Sequence, residues 1–153
     1  MEAIIFMGLQ ASGKSTFYKQ RFFDTHVRIN LDMLRTRHRE RILLQACIEM
    51  KQGFVVDNTN PTQAARAPYI AQAKAADFAV VGYYFSPDLA GCLARNNARE
   101  GAARIPSVGI YAAAKKLQAP SLAEGFDVLY SVRIEPGAGF VVQEWSKPEE
   151  TLW

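Results

Sequence analysis

Gly8-Leu9-Gln10-Ala11-Ser12-Gly13-Lys14-Ser15 carries the G-x-x-x-x-G-K-S spacing of a phosphate-binding P-loop. The glycines let backbone approach phosphate oxygens closely, and N–H groups at the start of a helix favour an anion. Lys14 supplies a point charge for β- and γ-phosphates, and the Ser15 hydroxyl is placed to ligate Mg²⁺. Gly8, Ala11, Ser12, Gly13, Lys14, Ser15 and Thr16 are therefore the candidate nucleotide contacts. The chemistry implied is binding of a nucleoside triphosphate; the motif does not state the fate of the phosphate.

Three further groups could complete a reaction. Asp32 follows the apolar stretch ending at Asn30, and its spacing to Arg35 puts both on one face of a helical turn. Asp32 could accept the proton of an attacking hydroxyl, and Arg35 could hold an anionic group of the acceptor. The alternative is an N-capping aspartate with a solvated ion pair. Phe54-Val55-Val56-Asp57 reads as an apolar strand ending in a carboxylate that could orient Mg²⁺, with Thr59 and Asn60 beside it. A turn or capping aspartate is the other reading. Asn58 stands where a motor ATPase has glutamate, and no N-K-x-D string is present; both features count against a motor or a GTPase switch. Arg95 and Arg99 share a helical face before a Gly101 turn and suit a lid that closes on phosphates, or cations placed at a helix C-terminus. Arg35, Arg37, Arg39 and Arg41 form a basic cluster that suits a nucleic-acid backbone or a solvated helix face.

The elements needed to position these groups alternate along the chain. Strands are expected at Ala3–Met7, Val27–Asn30, Phe54–Asp57, Phe78–Phe85 and Val128–Ile134, with Phe140–Trp145 as a candidate edge strand. Helices are expected at Lys14–Phe23, Asp32–Gln52, Ala64–Ala76, Ser86–Asn97 and Val108–Gln118. The order implies an α/β fold, a parallel sheet with helices on both faces. The 153 residues fit a single domain spanning 1–153, with a loosely held tail over 147–153. A net charge of +3 permits a polyanionic partner without requiring one. Cys47 and Cys92 are far apart and read as reduced thiols, so no disulfide is expected. His26 and His38 have no partners at metal-ligand spacing, so no zinc site is expected. No run approaches membrane-spanning length, and a soluble cytoplasmic protein without membrane partners is the expectation.

GLQASGKSTF, NLDMLR, VVDNTNP, RNNAR, RIP and KKLQAPSLAEGFD occur in that order over roughly residues 3–134. In this series the chain resembles the kinase domain of polynucleotide 5′-hydroxyl kinases, with DNTNP and APSLAEGF most like the animal enzymes. The resemblance implies a P-loop NTPase fold of nucleoside-kinase type, a five-stranded parallel sheet in the order 2-3-1-4-5, and an arginine-bearing lid. It implies ATP as donor, Mg²⁺ as cofactor, and a 5′-hydroxyl end of DNA or RNA as acceptor and partner. By resemblance Lys14 and Ser15 are the P-loop lysine and metal ligand, Asp32 the general base, and Arg35 the acceptor-phosphate arginine. Asp57 and Thr59 lie on the acceptor and metal side, and Arg99 with Arg95 are the lid arginines. No D-x-D-G-T phosphatase motif is present, so 3′-phosphatase activity is not expected. Two other readings stand: a P-loop kinase acting on a metabolite, nucleotide-sugar or antibiotic hydroxyl, and an ATP-binding module that transfers nothing.

Overall fold

The computed structural model describes residues 1–101 and 104–145. The tail expected over 147–153 and two residues of the expected Gly101–Ser107 loop lie outside them. The elements in chain order are β1 (Glu2–Met7), α1 (Lys14–Arg21), β2 (Val27–Ile29), α2 (Leu31–Leu34), α3 (Arg37–Met50), β3 (Phe54–Asp57) and α4 (Gln63–Ala75). After these come β4 (Ala79–Phe85), α5 (Leu89–Asn97), α6 (Ser107–Lys116), a 3₁₀ turn at Leu122–Glu124, β5 (Val128–Glu135) and β6 (Gly139–Glu144).

The sheet order is β2-β3-β1-β4-β5-β6. The first five strands are parallel, as the sequence implies, and β6 adds a sixth, antiparallel to β5. The five-stranded parallel expectation is therefore corrected to a six-stranded mixed sheet. The reason is the connection: a parallel return needs a crossover of a dozen or more residues. The short link between Glu135 and Gly139 allows only a hairpin, with Gly137 at φ 78° and Gly139 at φ 75°.

Residues 3–7 of β1 are all buried, as expected for a central strand covered on both faces. Alternate side chains feed two cores. Ala3, Ile5 and Met7 join Leu44, Tyr69, Ile70 and Phe78 on one side. Ile4 and Phe6 join Phe17, Tyr18, Phe22 and Phe85 on the other. Both β1 faces are thus packed, and the loop leaving its C-terminal end is held in place.

The single helix expected over Asp32–Gln52 is two. Arg35 takes φ 78°, which a right-handed helix cannot continue, and its N–H closes α2 on the Leu31 carbonyl. Thr36 then starts α3, its side chain accepting from the Arg39 N–H. Arg35 therefore does not share a helical face with Asp32.

No helix among the described residues is long and apolar enough to cross a membrane. Cys47 and Cys92 are both buried and unlinked.

Candidate active site

A cavity of about 610 Å³ opens at the C-terminal ends of β1, β2 and β3, where an open parallel sheet places its ligands. Its donor side is formed by Gln10, Ala11, Gly13, Lys14, Ser15 and Thr16. Gly13 holds φ 97°, and an added Cβ would meet the Phe140 ring at 2.8 Å, so glycine is required on both counts. Helix α1 starts at Gly13 without a side-chain cap, leaving its first-turn N–H groups for an anion. Gly8 and Ser12 do not line the cavity. A Cβ on Gly8 would lie 2.8 Å from the Phe85 side chain, and Ser12 is buried with its hydroxyl unpaired. These two shape the loop from behind.

Lys14 folds onto its own loop: Nζ donates to the carbonyls of Gly8 (3.0 Å) and Leu9 (2.6 Å). Burial draws its ammonium down to about 8, opposed by the attraction of Asp57. Ser15 Oγ donates to Asp57 Oδ2 at 3.2 Å. Arg28, on β2, donates from Nε to the same Asp57 oxygen at 2.8 Å and from Nη2 to Ser15 Oγ at 2.9 Å. Asp57 is 1% exposed, so this guanidinium is its counter-charge. Sequence reading gave Arg28 no role; its signal was a cation two residues before Asn30 on a strand that ends at the site.

Ser15 and Asp57 together offer oxygen donors on one edge of the cavity, which suits Mg²⁺ held by one or two protein groups plus phosphate oxygens. Among the described residues no cluster of three or more His, Cys, Asp or Glu could cage a metal alone. The donor set therefore fits a nucleotide-borne Mg²⁺.

The opposite side comprises Asn30, Leu31, Asp32, Arg37, Glu40, Arg41, Leu44, Asn58, Thr59 and part of α4. Asp32 is exposed on this wall. Its turn is pinned at its start: Asn30 Nδ2 donates to the Asp57 carbonyl at 2.6 Å, and the Leu31 N–H donates to Asn58 Oδ1 at 2.9 Å. Asn58 Nδ2 in turn donates to Glu40 Oε2 at 3.0 Å. Glu40 also accepts from Tyr69 (2.8 Å) and Arg37 (2.9 Å). Burial, reinforced by Glu40, pushes the Tyr69 phenol up to about 12. Arg35 is exposed and does not line the cavity; Arg37 and Arg41 do.

Thr59 lines the wall and its carbonyl accepts from the Gly8 N–H at 3.0 Å, tying this loop to the P-loop. Asn60, at φ 44°, is buried and donates to the Phe6 carbonyl. Arg66 is fully buried; it bonds the Asn60, Pro61 and Gln118 carbonyls and pairs with Glu124. It thus clasps the DNTNP loop to the APSLAEGF segment.

The two arginines expected to form a lid part company. Arg99 lines the cavity. Arg95 instead donates to the Ala11 carbonyl at 2.6 Å, bracing a residue held at φ 62°, and stands outside the lining. Asn96, fully buried, both donates to and accepts from the Ile105 backbone (2.6 and 2.8 Å), closing the base of the arginine loop.

A P-loop at the end of a central parallel strand, a second strand ending in a buried carboxylate, and an arginine-bearing segment beyond α5 define a P-loop kinase-like domain. The chain belongs to the AAA_33 family, described as an AAA domain, whose model matches residues 4–120. Among solved structures it is similar to Kti12 of Chaetomium thermophilum in complex with ADP-AlF3, at 14% identity and TM-score 0.66, over 89% of this chain and 91% of that one. It is similar to a gluconokinase from Sinorhizobium meliloti 1021 at 19% identity and TM-score 0.60, covering 86% and 82%. It is also similar to the Mycobacterium tuberculosis APS kinase CysC in complex with AMPPNP and APS, at 18% and TM-score 0.54, covering 85% and 87%. At these identities the likeness shows the fold.

Proposed function

We propose that this chain transfers the γ-phosphoryl group of ATP to an alcohol hydroxyl. The observation that carries the reading is that Asp32 lines the same cavity as Lys14, Ser15, Asp57 and Arg99. A carboxylate across from a phosphate cradle is placed to receive the proton of an attacking hydroxyl. In the reaction the bond from the γ-phosphorus to its bridging oxygen breaks and ADP leaves. A bond forms from the phosphorus to the acceptor oxygen, and the hydroxyl proton passes to Asp32. Lys14 leaves the Gly8 and Leu9 carbonyls to meet the phosphates, and Arg99 adds charge from the lid. Ser15 and Asp57 would hold Mg²⁺, which supplies charge neutralisation at the phosphates when bound. Catalysis by these groups is positioning and electrostatic stabilisation.

For the acceptor, a small-molecule hydroxyl is the better supported reading. A gluconokinase and an APS kinase share this fold. The strings that resemble polynucleotide kinases also have structural duties: Asn58, Asn60 and Glu124 commit their side chains to internal hydrogen bonds. The second reading, a 5′-hydroxyl end of DNA or RNA, is favoured by those same strings and by the basic rim of Arg37 and Arg41. One assay separates them: γ-labelled ATP and Mg²⁺ with a panel of sugars, sugar acids, nucleosides, and 5′-hydroxyl DNA and RNA. Label in a small acceptor alone sustains the first reading, and label at oligonucleotide 5′ ends replaces it with the second. ATP binding with no labelled acceptor overturns both.

A further inference from the structure

Glu40 is a carboxylate 5% exposed, in the first turn of α3 and eight residues from Asp32. It accepts from three parts of the acceptor wall: Arg37 on α3, Tyr69 on α4 and Asn58 after β3. The Asn58 contact matters most. An amide side chain has one donor end and one acceptor end. Glu40 takes the donor end, so the Oδ1 end faces the Leu31 N–H, the first residue of the turn that carries Asp32.

We propose that Glu40 is a positioning residue: through Asn58 it fixes the Leu31 N–H and with it the turn that presents Asp32 to the cavity. The inference rests on the phosphotransfer reading for its kinetic consequence and on the hydrogen-bond chain for its structural one. Both Glu40 oxygens are already engaged, Oε1 by Arg37 and Tyr69 and Oε2 by Asn58. Its effect is transmitted by the direction of one amide. A donor in place of the Glu40 acceptor turns Asn58 round and sets an N–H against the Leu31 N–H. A buried donor without an acceptor is costly, and the turn shifts to relieve it.

Glu40→Gln places that donor with little change in volume, because Arg37 and Tyr69 both donate to Oε1 and keep the amide oxygen on their side. Expected is a fall in kcat of about tenfold to a hundredfold, the scale of a small misplacement of a reacting group, with ATP affinity unchanged within twofold. The Leu31 amide should exchange with solvent at least about tenfold faster, as a protecting bond is lost. Asn58→Asp alone sets a second carboxylate against Glu40 and should also lower kcat. The double variant Glu40→Gln/Asn58→Asp restores complementarity, because the new carboxylate accepts both from the amide introduced at position 40 and from the Leu31 N–H. Recovery of kcat to within threefold of the parent, with Leu31 protection, is the expected result. A double variant as poor as the worse single one overturns the proposal, as does a Glu40→Gln enzyme with unchanged kcat and Leu31 exchange. Asn58→Ala cuts the bridge while leaving Glu40 with Tyr69 and Arg37, and should reproduce the kcat loss if Glu40→Gln does not fold. If the parent transfers phosphate to no acceptor, the functional reading fails, while Leu31 exchange across the same variants still decides the bracing.

Discussion

The donor and acceptor halves of the cavity are built on opposite plans. The donor half takes its groups from one stretch, Gly8–Ser15, whose lysine rests on carbonyls of its own loop, with Thr59 and Arg95 bracing it from outside. The acceptor half is assembled at a distance. Asp32 is placed by Asn30 and Asn58, Asn58 by Glu40, and Glu40 by Tyr69 on α4. Arg28 and Asp57 couple the halves at Ser15. A contiguous cradle is carried between one strand and one helix, β1 and α1. A distributed wall can exchange acceptors by changing single side chains, which is how one fold serves several chemistries.

The sharpest way to break this contrast is to disable one half and read the other. Asp32→Ala should lower kcat by roughly 10²–10⁴, the usual worth of a positioned acid–base group. ATP affinity, measured by calorimetry, should stay within twofold. Lys14→Met should do the reverse in kind, removing ATP affinity itself. Full activity in the Asp32 variant would end its assignment. Arg28→Met tests the coupling between the halves. It leaves Asp57, 1% exposed, without its hydrogen-bonded cation and with Lys14 as its remaining charge partner, and stability should fall by on the order of 3 kcal/mol in denaturant titrations. Mg²⁺ with nucleotide should recover part of that loss, since it returns positive charge to Asp57 and Ser15. A variant as stable as the parent would show that Arg28 is incidental.

The same contrast explains what the sequence revealed. The first five strands and the P-loop are legible because they rest on short-range patterns: apolar runs, punctuating glycines and a fixed spacing. Glu40 was hidden inside a run of arginines, where its neighbours suggest solvent, yet it is buried. Asn58 was notable only for not being glutamate; its task of ordering the Leu31 N–H appears when β2 and β3 pair. Arg35 was misplaced for a local reason, because nothing in the composition of the Asp32–Gln52 stretch announces the positive φ that splits it. Arg95 had the right spacing to Arg99, but the P-loop carbonyl of Ala11 claims it.

A subtler effect belongs to the donor half alone. The Lys14 ammonium sits at about 8 in the nucleotide-free protein, against an ordinary value of 10.5. The folded state therefore binds fewer protons than the unfolded chain between those values, and stability should rise with pH across that window. Below about 8 the lysine is charged in both states, and the full cost of its burial is present. Triphosphate raises the Lys14 value again, so nucleotide binding near pH 9 should take up to about one proton. Calorimetry in two buffers of different ionisation enthalpy measures the uptake. Equal heats in both buffers would show that Lys14 does not change its protonation on binding.

The smallest expected effect separates the basic residues of the acceptor rim. Arg41 lines the cavity, whereas Arg35 does not, and Arg37 is tied to Glu40, so its removal would disturb the wall itself. Arg41→Ala is therefore the clean probe of an anionic group on the acceptor. With the acceptor selected by the labelling panel, KM should rise severalfold, about 1 kcal/mol, as for an exposed charge pair. The rise should shrink at high salt, because the pairing is screened. Arg35→Ala should leave KM within twofold. The opposite ranking would mean that the acceptor approaches over α2 rather than across the α3 rim. An unchanged KM in both variants would identify an uncharged acceptor, and would remove the basic rim from the case for a nucleic-acid end.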